Sequence, residues 1–127
     1  MSEIPVLKFS IKDDRKLELW RDKFSQTLVF EYPVQKTIQL RDKLFVLLGQ
    51  KDSKEFSRNI FCVSFSADVL WRVEKQESIE LPFVDIINAS DKLVARNQNG
   101  SFYSVDLESG QIIAKLSDGW RNEKLFV

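Results

Sequence analysis

The amino-acid sequence predicts an all-β protein built from antiparallel four-stranded meanders stacked against one another. Three observations carry this. Short apolar runs alternate with turn residues along the chain. The pattern of runs and turns recurs at a spacing of more than forty residues. Several of the runs are apolar at consecutive positions, as strands covered on both faces must be.

The last copy is the clearest. LPFVDIIN, DKLVARN, SFYSVDL and QIIAKL are four strand-like runs within residues 81–116. Ala89-Ser90-Asp91, Asn97-Gln98-Asn99-Gly100 and Glu108-Ser109-Gly110 separate them. Gly100 and Gly110 supply the positive φ that tight turns need. A middle copy has the same order: PVQKTIQL (33–40), DKLFVLL (42–48), RNIFCVSF (58–65) and DVLWRVE (68–74). Pro33 maps onto Pro82 at an offset of 49, and Phe61 maps onto Phe102 at an offset of 41. The eight-residue difference falls in the polar stretch 49–58, read as an exposed loop. A first, weaker copy reads as IPVLKFSI (4–11), RKLELW (15–20) and TLVFEY (27–32), one strand short of the others. Pro5, Pro33 and Pro82 are each followed nine residues later by an aspartate, Asp14, Asp42 and Asp91.

Repeats of this length with four strands each are the mark of propeller blades. One meander cannot cover both its faces, whereas a stack of them can. The chain is therefore expected to be a single domain of three blade-like repeats, about 4–32, 33–74 and 82–116, with a C-terminal tail. Closed propellers use four to eight blades, so the expectation is an incomplete, half propeller of about three blades. A β-sandwich or a half-open barrel is the competing architecture.

Composition excludes several function classes. Lys plus Arg and Asp plus Glu both number 19, without the basic excess of a nucleic-acid binder. The charge is uneven: residues 1–58 hold 12 basic and 9 acidic side chains, residues 59–110 hold 4 and 8. An acidic second half suits a basic partner surface. There is no histidine, which removes histidine-based catalysis and histidine metal sites. One cysteine, Cys62, allows no intrachain disulfide and no thiolate zinc site, and it is read as a buried structural thiol. No cofactor or metal is expected, and no enzymatic activity. Carboxylate pairs such as Asp85 with Asp91, or Glu77 with Glu80, have no spacing that sets them apart from surface residues. No apolar run approaches a bilayer span and no signal peptide is evident, so a cytoplasmic protein that engages no membrane is expected.

The remaining candidates are for binding a protein. Glu77, Glu80 and Asp85 form an acidic segment between the last two copies; Asn97 and Asn99 lie in a turn beside Tyr103; Trp120 lies in the tail. Trp71 and Phe61 are read as core, and Asp106 as a turn-stabilising carboxylate.

SVDLESGQIIAKL resembles the blade motif of quinoprotein-like propellers, and NIFCVSFSADVLWRVE resembles the same motif with its turn glycine missing. Of the Trp and Gly signature that docks such blades, Trp71 and Gly110 are present; the quinone-binding residues are not. From about residue 28 to 119 the chain resembles small bacterial immunity proteins that accompany polymorphic or contact-dependent growth-inhibition toxins. That resemblance implies a cytoplasmic inhibitor that occludes the active site of a cognate toxin, such as a basic nuclease like an RNase, acting as a monomer or small homo-oligomer. The alternative is a scaffold module that completes a propeller by homo-oligomerisation.

Overall fold

The computed structural model describes residues 8–21, 24–49, 58–64, 66–74 and 82–116. These contain strands and turns and no helix. The first sheet is β1 (Lys8–Lys12), β2 (Lys16–Arg21) and β3 (Phe24–Val29), in that spatial order. The second is β4 (Val34–Leu40), β5 (Lys43–Leu48), β6 (Ile60–Ser64) and β7 (Val69–Arg72). The third is β8 (Phe83–Asn88), β9 (Leu93–Asn97), β10 (Phe102–Val105) and β11 (Ile112–Lys115). Every pairing is antiparallel between chain neighbours. The chain is all-β, its meanders form an open, incomplete propeller-like stack, and no sheet closes into a barrel.

Turn chemistry explains two of the three recurring aspartates, Asp14 and Asp91. The β1–β2 turn holds Asp13 and Asp14 at φ of 50° and 62°, and the β8–β9 turn holds Ser90 and Asp91 at 55° and 65°. Aspartate tolerates this left-handed region better than most residues, and consecutive residues there match the twist of a hairpin. In the β4–β5 turn it is Arg41 that takes the positive φ, at 57°. Gly100 and Gly110 take it at 85° and 77°, as the sequence leads one to expect.

The bulges repeat as well. A register shift falls between Val34 and Lys36 in the second sheet and between Phe83 and Asp85 in the third, 49 residues apart. Contacts across the sheets keep the same offset. Gln35 Nε2 donates to the carbonyl of Val84 at 3.3 Å, and Lys36 Nζ to Asp85 Oδ1 at 2.8 Å. Equivalent positions of successive innermost strands therefore meet, as in neighbouring blades.

The second sheet lies between the other two. Along β5, Leu44, Val46 and Leu48 join Leu17, Leu19 and Phe30 in one core, while Phe45 and Leu47 join Phe83, Ile86, Leu93, Ala95 and Tyr103 in another. Successive side chains of a strand point to opposite faces, so a run of five buried residues serves both cores at once. Each large side chain buried this way contributes roughly 1.5–3 kcal/mol from burial alone.

One strand is displaced from its expected place. The sequence puts the third strand of the first copy at 27–32, whereas β3 spans Phe24–Val29. Phe30 leaves the ladder after donating its N–H to the Arg15 carbonyl at 2.8 Å, and its ring packs on Phe61 with centroids 5.3 Å apart. Burial of that ring ends the strand early.

Candidate functional site

The outer face of the third sheet, away from the second, carries a second set of apolar side chains. Ile87, Ala89 and Val94 pack there with Phe102 and Leu116. Beside them lies an open groove of about 660 Å³. Val94, Ile113 and Leu116 give it an apolar floor, and Ile113 is 66% exposed.

Three turns build its rim. Arg41 comes from the β4–β5 turn, Asp91 and Lys92 from the β8–β9 turn, and Asp106, Leu107 and Glu108 from the β10–β11 turn. In a meander the first and third connections lie at the same end, so these turns from two sheets gather there. Their geometry is tied down locally. Asn88 Oδ1 accepts from the N–H of Asp91 at 3.0 Å, across the positive-φ pair. Asp106 Oδ2 accepts from Ser109 Oγ at 2.7 Å, and Oδ1 from the N–H of Glu108 at 3.3 Å. These two bonds, the Ser109 hydroxyl first, hold the Asp106 carboxyl below its ordinary range.

A cross-sheet ion pair fixes the rim to the second sheet. Lys43 Nζ reaches Glu108 Oε1 at 2.8 Å; the lysine side chain is 16% exposed and the glutamate 77%. The hydrogen bond to Glu108 raises the Lys43 pKa, against the opposing effect of burial. In the core between the second and third sheets, the thiol of Cys62 is buried and pushed up to about 12 by desolvation. A thiol held protonated is neither a nucleophile nor a metal ligand. Among the described residues no group of three or more Cys, Asp or Glu side chains is placed to hold a metal ion. No helix among them is long and apolar enough to cross a membrane.

The candidate residues read from the sequence are scattered. Asp85 pairs with Lys36 and also accepts the N–H of Ile86 at 2.9 Å. Asn97 is 2% exposed, and its Oδ1 accepts from the N–H groups of Asn99 and Ser101 at 3.1 and 2.9 Å, organising its own turn. Asn99 is exposed in that turn. Tyr103 is 6% exposed and meets Phe83 edge-on, with centroids 6.2 Å apart. None of these four lines the groove. Glu77, Glu80 and Trp120 lie outside the described residues. The groove residues Arg41, Lys92, Glu108 and Ile113 were not singled out by sequence; the usable signal was that the turns of a meander alternate between its two ends.

Trp71 and Gly110, singled out above, do meet between the second and third sheets. A Cβ built on Gly110 would fall 2.7 Å from Trp71 Cδ2. The Trp71 indole N–H donates to the Leu107 carbonyl at 2.8 Å, and Glu74 Oε1 accepts the N–H of Ile112 at 2.8 Å. The outermost strand of one sheet thus docks on the last turn of the next.

No curated protein matches the chain. A family model does match, over residues 14–116, which takes in the turn before β2 and everything from there to the end of β11. The chain belongs to that family, DUF7957, a domain of unknown function.

Proposed function

We propose that the chain is a non-enzymatic binding protein, an immunity protein that occupies the active site of a cognate toxin domain. The observation that carries the reading is the groove on the third sheet, with its apolar floor of Val94, Ile113 and Leu116 inside a rim of Arg41, Asp91, Lys92, Asp106 and Glu108. An apolar centre ringed by charged side chains is the usual anatomy of a protein-binding surface. Residues 59–110, which supply most of it, carry 8 acidic and 4 basic side chains, and so suit a basic partner such as a nuclease. The absence of histidine and the inert Cys62 thiol favour occlusion over chemistry. In this reading the protein acts in the cytoplasm, without a cofactor and without contacting nucleic acid or membrane.

The test uses the toxic C-terminal domain of a secreted protein encoded beside this chain, titrated by calorimetry. The expected Kd is on the order of nanomolar or below, rising with salt as steering is screened. Ile113→Asp places a charge on the exposed floor and weakens binding at least about tenfold, with an unchanged circular dichroism spectrum. Full affinity in that variant, or turnover of a substrate by the isolated chain, refutes the proposal.

A further inference from the structure

Among the described residues the first sheet has three strands where each of the other two has four. β7 completes the second sheet and β11 the third, but β3 is the outermost described strand of the first. Only residues 30–33 separate β3 from β4, too few for a further strand. Where the second sheet meets the third, Trp71 and Glu74 near the end of its outermost strand cover the β10–β11 turn. On the second sheet Ala67 of the β6–β7 turn packs against the core shared with Leu17, Leu19 and Phe30, but Val69 and Leu70, which follow it in β7, are each left 48% exposed. Beside them is a groove of about 210 Å³, with Val29, Phe30, Phe61 and Val69 among its apolar lining and Glu31 and Arg72 as its charged residues. Val29 is itself 66% exposed.

β3 is also unguarded. Sheet edges that must stay single carry charges, prolines or bulges. β7 and β11 each contain a basic residue, Arg72 and Lys115, and each pairs with its neighbour through a register shift. β3 reads FSQTLV, without a charge or a proline, and pairs with β2 in unbroken register from Arg21–Phe24 to Lys16–Val29.

We propose that this edge is an interface between two copies of the chain, paired antiparallel through β3 about a two-fold axis. The register follows from the hydrogen bonding. Phe30 directs its N–H at Arg15, and backbone groups alternate in direction along a strand, so Ser25, Thr27 and Val29 point theirs away from β2. Antiparallel self-pairing then sets Thr27 against the second copy's Thr27, and Ser25 against the second copy's Val29, each as a mutually hydrogen-bonded pair. The incoming strand takes the position that β7 and β11 hold in their own sheets. Charge favours a copy over a basic partner: β3 itself is uncharged, the groove beside it is lined by one acidic and one basic side chain, Glu31 and Arg72, self-pairing of β3 opposes no like charges, and the net charge of each copy is zero. The interface lies on the first sheet and the toxin-facing groove on the third, so either proposal stands or falls without the other.

Sedimentation velocity over a concentration series tests it. The expected result is a shift from 14.9 kDa to twice that mass, with a midpoint roughly in the micromolar range, because one strand pair buries less than the ~1,000 Å² of a firm interface. Thr27→Lys, which sets lysine against lysine on an exposed position, abolishes the dimer without altering the thermal melt of the dilute monomer. Thr27→Pro removes the outward N–H and does the same, whereas removing residues 117–127 leaves the dimer intact. A wild-type chain that stays at 14.9 kDa to millimolar concentration overturns the proposal. So does a dimer that survives Thr27→Lys, or a dimer lost only with the tail.

Discussion

Asn59 is 1% exposed, and all its side-chain hydrogen bonds go to backbone. Nδ2 donates to the carbonyls of Leu48 at 2.7 Å and Phe83 at 2.8 Å, while Oδ1 accepts the N–H of Phe83 at 3.0 Å. Two acceptors and one donor fix which way the amide points. The residue closes the open end of β5 and ties it to the start of β8 on the next sheet. Asn59→Ala leaves those groups buried and unpaired, and is expected to cost about 2–4 kcal/mol in urea unfolding. Asn59→Asp has the same shape but cannot donate, and carries a charge; it is expected to be worse than alanine at pH 7. Sequence reading placed Asn59 in a strand and assigned it no role, because its partners are main-chain atoms and leave no pattern in side chains. Asp106 was legible, since a carboxylate ahead of Leu-Glu-Ser-Gly has its partners within three residues. Asn97, a partner-binding candidate from its place in a turn, instead has its carboxamide drawn inward to hold that turn.

At the scale of elements, the repeat was the informative signal. The offsets of 49 and 41 in sequence place β8 on β4 and β10 on β6. The shortfall of the first copy was legible too, because residues 4–32 hold three strand-like runs where each later copy holds four. The repeat did not capture where β3 stops, since the end is set by Phe30 finding Phe61 in another sheet. The docking of one sheet on the next was half legible, through Trp71 and Gly110. Gly110→Ala tests it. A methyl group there meets the Trp71 ring, and the backbone φ of 77° already disfavours a side chain. The expected loss is about 2–4 kcal/mol by urea unfolding. Gly100→Ala, with a φ of 85° and nothing within 4 Å of the added methyl, is the control at about 1 kcal/mol.

For the whole molecule, the second sheet belongs to both large cores, so opening either exposes it. Cys62, wholly buried in that sheet, reports on the opening. At pH 8 the native thiol is expected to resist iodoacetamide and to react at the rate of global unfolding, which pulsed labelling in a urea series measures; fast labelling without denaturant would contradict it. Desolvation raises the thiol pKa from 9.0 to about 12 in the folded state. Its contribution to stability is therefore complete below pH 9 and is lost as pH climbs from there towards 12. The groove was not legible from sequence, since the outer face of a terminal sheet and the inner face of a middle one have the same alternation. Only the stacking order tells them apart.

The contact between Lys36 and Asp85 joins the same register position of two successive repeats. Counting back by the proline spacing, the first repeat has Lys8 at that position. Three identical copies would set lysine against lysine at every junction and would fit together in any sequence. At the junction of the second and third copies the sign of one partner is reversed, and what would be a repulsion becomes an ion pair of 2.8 Å.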